Sequence, residues 1–83
     1  MKYLDPEQHG KTGATLPYWL SFEGETITRP HESRIRRAMF ALLGGNGSMI
    51  PEVDQRWAIG FVEGWLVLMF RTSEDRDLAR FAL

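Results

Sequence analysis

The sequence predicts an α+β fold: an antiparallel sheet of about four strands in the order ββαββα, with one main helix and a short C-terminal helix on one face. Three observations predict it. Ile35, Ala38, Met39 and Leu42 recur at spacings of three and four, the helical period. Residues 56–62 and 65–71 are rich in aromatic and β-branched side chains and are separated only by Glu63-Gly64, the spacing of a tight hairpin. Clusters of Gly, Pro and Asn punctuate the chain on both sides of the helical segment.

Residues 1–16 are polar and turn-rich over Asp5 to Thr15, show no period, and are expected as a mobile lead-in to a single domain spanning 1–83. Tyr18, Leu20 and Phe22 alternate with Trp19 and Ser21 after Pro17, a strand pattern. Glu23-Gly24 then turns the chain toward an expected second strand, Glu25 to Thr28. Thr28 or Arg29 caps the main helix, Pro30 suits its first turn, and Glu32 suits the positive end of its dipole. Gly44-Gly45 ends it, and Gly44 to Pro51 is expected as a flexible loop. After the second hairpin, Thr72 or Ser73 caps a short helix with Glu74 and Asp75 in its first turn, running to about Arg80.

Composition narrows the function classes. Apolar residues make up 43% of the chain and charged residues 25%, a globular balance that argues against disorder. The longest apolar run, Trp65 to Phe70, is far shorter than the roughly 20 residues of a membrane span. No apolar stretch follows Met1-Lys2, and there is no cysteine for a disulfide or a thiolate metal site, so a cytoplasmic protein without membrane attachment is expected. A net charge of -1 is unlike that of a protein built for duplex nucleic acid. The basic charge is uneven, however. Eight of the ten basic residues are arginine, and four of these fall between Arg29 and Arg37.

A two-residue turn fixes register, so the second hairpin can be paired residue by residue. Val62 faces Trp65, Phe61 faces Leu66, Ile59 faces Leu68 and Trp57 faces Phe70. One face presents Trp57, Ile59, Phe61, Leu66, Leu68 and Phe70, the expected core under the main helix. The other presents Ala58, Gly60, Val62, Trp65, Val67 and Met69, which is also apolar, whereas a half-solvated sheet alternates apolar with polar. Either residues 1–15 or the last helix cover this second face, or a second copy or a partner protein does. In the latter case Trp65, Val67 and Met69 are the anchors. Arg56 and Arg71 oppose each other at the open end, a repulsive pair unless an acid such as Asp54 intervenes.

Placed at 100° intervals, Ile35, Met39 and Leu42 share one side of the main helix. Phe40 falls outside that stripe, flanked by Arg36 and Arg37 with Arg34 further round. An aromatic ring among guanidinium groups is a common composition of interface hot spots, and it also suits stacking on bases with arginines on phosphates. Alternatively, Phe40 packs beneath the first hairpin or the C-terminal residues while the arginines pair with neighbouring acids. Given the neutral total charge, an acidic protein surface is favoured over nucleic acid as the contact.

Motifs for chemistry fail on spacing. Gly10-Lys11-Thr12 has the ending of a phosphate loop, but Asp5 stands where the motif needs its first glycine, and Pro17 leaves little room for a following helix. His9 and His31 have no ligand-spaced neighbours, and none of the four serines sits in a nucleophile elbow. No cofactor and no catalytic role are expected.

The short chain, the Glu63-Gly64 hairpin and the ending from Phe70-Arg71-Thr72-Ser73 through Arg80-Phe81-Ala82-Leu83 resemble, in general make-up, the small accessory proteins of bacteriophages. These include anti-CRISPR proteins and other host-takeover inhibitors. The resemblance implies inhibition by steric blockade of a host complex and assigns no role to any residue. The expected function is a small protein-binding module, with Arg34, Arg36, Arg37, Phe40, Arg56, Trp65, Val67, Met69 and Arg71 as its candidate contacts. The alternatives are a structural homodimer through the Trp65/Val67/Met69 face and a nucleic-acid module using the arginine cluster.

Overall fold

Three segments alternate or run continuously apolar, and in the computed structural model, which describes residues 10–22 and 28–83, they form one antiparallel sheet. The strands are β1 (Tyr18–Phe22), β2 (Trp57–Val62) and β3 (Trp65–Phe70), in spatial order β1-β3-β2. Three helices complete the chain: α1 (Gly10–Thr15), α2 (Arg29–Leu43) and α3 (Ser73–Ala82).

Among the described residues the sheet therefore has three strands, not about four, and after the short α1 the order is βαββα rather than ββαββα. Of the expected second strand, 25–27 lie outside the described residues and Thr28 is the N-cap of α2, its hydroxyl accepting from the His31 N–H. The physical reason lies in β3. With both of its faces covered, its backbone N–H and C=O groups are cut off from water and need partners on each edge, and β1 takes the edge that β2 leaves open. Tyr18 pairs with Phe70 and Phe22 with Leu66.

The β2–β3 register is the one that the Glu63-Gly64 turn dictates, from Val62↔Trp65 to Trp57↔Phe70. Both turn residues take positive φ, 52° and 85°, as a two-residue hairpin with the right twist requires. Ile35 and Met39 of α2 and Ala79 of α3 pack with Trp57, Ile59, Leu66, Leu68 and Phe70 in the larger core, on one face of the sheet. Leu42, Leu43, Leu20 and Phe22 border it.

The second face is also sealed. Leu16, Ala58, Val62, Val67 and Met69 form a second buried cluster, with Trp19 and Trp65 packed against it. Residues 10–16, expected as part of a structureless lead-in, supply part of that cover. A six-residue helix fits before Pro17, and the Leu16 N–H closes it on the Thr12 carbonyl. The loop after α2 supplies more. Met49 lies against Gly60, where an added Cβ would come within 2.5 Å of the Met49 sulfur, and the Thr12 hydroxyl donates to the Met49 carbonyl. Val67 and Met69 are thus buried within the chain, while Trp65, the third residue expected on this face as an anchor, is half-buried.

The open end of the hairpin differs from expectation as well. Asp75, rather than Asp54, relieves the Arg56/Arg71 opposition. Its two oxygens accept from Arg56 Nε at 3.1 Å and Nη2 at 2.8 Å, while Arg71 Nε donates to the Gln55 carbonyl at 2.9 Å. Hydrogen bonding first and charge second, the Asp75 carboxylate pushes the Arg56 guanidinium above its ordinary value, so this side of the pair stays ionised until strongly alkaline pH.

Burial on the second face has a direct consequence. Met69→Ala is expected to lower unfolding free energy by about 2–5 kcal/mol, the range for truncating a fully buried side chain. Chemical denaturation measures it; a loss below ~0.5 kcal/mol would mean that this face is not a sealed core.

Candidate functional site

The α2 sequence separates its faces cleanly. With Ile35 and Met39 turned to the sheet, Arg36, Arg37 and Phe40 are left outside. Phe40 is 62% exposed, so it packs neither beneath β1 nor under the C-terminal residues. Glu32 holds one of the arginines: its Oε1 accepts from Arg36 Nη2 at 3.3 Å, one helical turn away. Arg29, Arg34 and Arg37 form no ion pair with any described residue.

The loop after α2 shapes the site. Gly44 caps the helix, its N–H donating to the Phe40 carbonyl, and its own carbonyl accepts from the Trp57 indole N–H. The chain then wraps the Trp57 ring. A Cβ on Gly47 would lie 2.4 Å from that ring, and Gly47 has φ +68°, so only glycine fits there. The expected flexible loop is in fact pinned by polar side chains. Asn46 Oδ1 accepts from Ser48 N–H, and Gln55 Nε2 donates to the carbonyls of Ser48 and Trp57 at 2.6 and 2.7 Å. Arg36 Nη1 reaches the Asn46 carbonyl at 3.5 Å and ties loop to helix.

Between helix and loop lies a hollow of about 320 Å³ lined by Arg36, Arg37, Phe40, Gly45, Asn46 and Trp57. Its volume is at the lower end of ligand pockets and suits one bulky side chain. Beyond the Gly45–Asn46 ridge is a second hollow, about 220 Å³, lined also by Glu52, Val53, Asp54 and Gln55, with Val53 91% exposed. The two hollows share Gly45 and Asn46, and we refer to them together as the trough; the first is lined by the basic Arg36 and Arg37 and the second by the acidic Glu52 and Asp54.

No family model, no curated protein and no solved structure matches this chain. Function must therefore be read from the chemistry of the trough.

Of the residues singled out from sequence, the fold brings Arg36, Arg37 and Phe40 together. Arg34 stands apart, lining a separate hollow with His31, Phe22 and Leu83. Arg56 and Arg71 are engaged within the chain, Trp65 is half-buried, and Val67 and Met69 are inside. Sequence reasoning missed Gly45, Asn46, Glu52 and Asp54 as parts of one surface beside the buried Trp57 ring. The available signal was the glycine run Gly44-Gly45-Asn46-Gly47 ahead of a bulky Trp57, since glycines mark close backbone approach. Among the described residues, no group of His, Asp or Glu is placed to hold a metal, and no helix is long and apolar enough to cross a membrane.

Two variants separate scaffold from surface. Gly47→Ala is expected to lose about 1–3 kcal/mol through overpacking on Trp57 and its positive φ. Phe40→Ala should change stability by less than ~0.5 kcal/mol, as for an exposed position. Urea denaturation of both reads the contrast, and equal losses would place Phe40 in the core.

Proposed function

We propose that the chain is a small protein-binding module that docks through the outer face of α2 and the trough beside it. The observation that carries this reading is an exposed phenylalanine set between arginines at the lip of a hollow floored by tryptophan. Interface hot spots combine such elements: a rigid aromatic, guanidinium groups, and a pocket that excludes water around them. Arg37 and Arg34 have donors that no described carboxylate occupies, and arginine holds carboxylates bidentately. Action by occupancy suits a domain of this size, so the module is an inhibitor that blocks a host complex sterically, the mode that its resemblance to phage accessory proteins implies. No catalytic role is assigned to any residue.

Nucleic acid is the weaker alternative. Phe40 and the arginines suit bases and phosphates, but the acidic rim of Glu52 and Asp54 and the net charge of -1 repel a polyanion.

Retrieval of a protein from host lysate by the immobilised chain, followed by titration of that protein, tests the proposal. Phe40→Ala and Arg37→Glu are each expected to weaken binding about tenfold or more, ~1.4 kcal/mol, while the melting temperature moves by less than about 3 °C. If both variants unfold, the α2 face is structural and the docking surface is lost as an idea. Affinity for a single-stranded oligonucleotide that collapses with added salt would instead favour nucleic acid.

A further inference from the structure

The docking face ends in a trough with opposite charge on its two rims, and we infer that it takes a short extended segment of a partner protein that reads acidic, then apolar, then basic. This assignment rests on the docking surface proposed above and specifies what enters it. Arg37 supplies guanidinium donors that no described acid occupies, so the segment's carboxylate lies on the helix side. The hollow between Phe40 and Trp57 takes the apolar side chain, aromatic or branched, whose burial supplies most of the binding.

Past Gly45 and Asn46, which belong to both hollows, the rim changes sign. Glu52 and Asp54 are exposed beside Val53, and neither forms an ion pair with a described residue. A lysine or arginine of the segment lies there. Charge complementarity of this two-ended kind fixes direction as well as attraction, because the reversed segment sets carboxylate on carboxylate and cation on guanidinium. It also separates a protein segment from a nucleic-acid strand, whose uniform charge matches one rim only.

Asn46 is the position that reports on the trough without altering a side chain of α2, and its backbone carbonyl, which Arg36 meets, is kept in any substitution. It is exposed, sits on the ridge between the hollows, and has no positive φ to strain a substitution. Asn46→Tyr fills the space. Asn46→Ala removes the same Oδ1–Ser48 contact but leaves the trough open, and so serves as its folding control.

The test is selection from a random-peptide display library on the immobilised full chain, with affinities of the enriched peptides measured by tryptophan fluorescence. The expected result is a shared acidic–apolar–basic order, binding weakened about tenfold or more by Asn46→Tyr and by Arg37→Glu, and weakened less by Asn46→Ala than by Asn46→Tyr. Glu52→Lys should weaken the same peptides and be rescued by exchanging their basic residue for an acidic one. Peptides of another pattern, no enrichment, or indifference to Asn46→Tyr overturn the inference. In that event, loss of the retrieved protein partner by Phe40→Ala and Arg37→Glu still upholds the docking face, whereas its retention by both removes face and trough together. A dimer of the chain alone that Asn46→Tyr dissociates would place a second copy in the trough and also overturn the inference.

Discussion

β3 has to be kept from water on both of its faces, and most of the molecule is arranged around that constraint. Leu66, Leu68 and Phe70 point one way, Val67 and Met69 the other, and all five are fully buried. Each such side chain contributes roughly 1.5–3 kcal/mol when buried, so neither face can be left open in so small a domain. α2 and α3 cover the first face. The second is reached from both directions along the chain, by residues 10–16 and by the loop after α2.

The path of that loop creates the trough. β2 is an edge strand, with backbone groups facing away from β3, and an uncovered edge invites pairing with other chains. The loop shields it: the Gly47 carbonyl accepts from the Ile59 N–H at 3.0 Å, and the Gln55 amide donates to the Trp57 carbonyl. In doing so the chain passes from Gly47 against the Trp57 ring on one face to Met49 against Gly60 on the other. A segment that rounds a sheet edge while leaving a helix C-terminus stands off from the helix's outer side. The space left between Phe40 and Asn46 is the hollow. Core cover, edge protection and candidate site are therefore consequences of one backbone route.

Local patterns were legible in the sequence and long-range partnerships were not. Thr28, the Ile35–Met39 stripe, Gly44, Thr72 and the complete β2–β3 register come from caps, periodicity and a two-residue turn, each fixed by neighbours a few residues away. The angular position of Phe40 belongs with these, because helical geometry alone sets it. By contrast, the β1–β3 pairing joins segments more than forty positions apart, and nothing local distinguishes it from a hairpin closing at Glu23-Gly24. Asp75 as the partner of Arg56 was hidden for the same reason, since helix-start electrostatics already accounted for it. The two-sided apolar character of β3 was plain, but whether a short polar segment and one methionine suffice to cover it depends on shapes that composition does not encode.

The charge on α2 remains to be accounted for by something other than its own stability. Four arginines and one carboxylate occupy the helix, and only Arg36 has that carboxylate for a partner. Arg29 stands at the positive end of the dipole, where a cation costs on the order of 0.3–1 kcal/mol, and Arg34 and Arg37 are like charges one turn apart, a further few tenths. Alanine, glutamate or glutamine at these positions would hold the helix at least as well. Salt and water reduce the repulsion without removing it. A carboxylate brought by the proposed partner would turn the cost at Arg37 into attraction, on the side of the helix where Phe40 is exposed. The docking proposed for this face would account for the unfavourable charge and the unburied ring together.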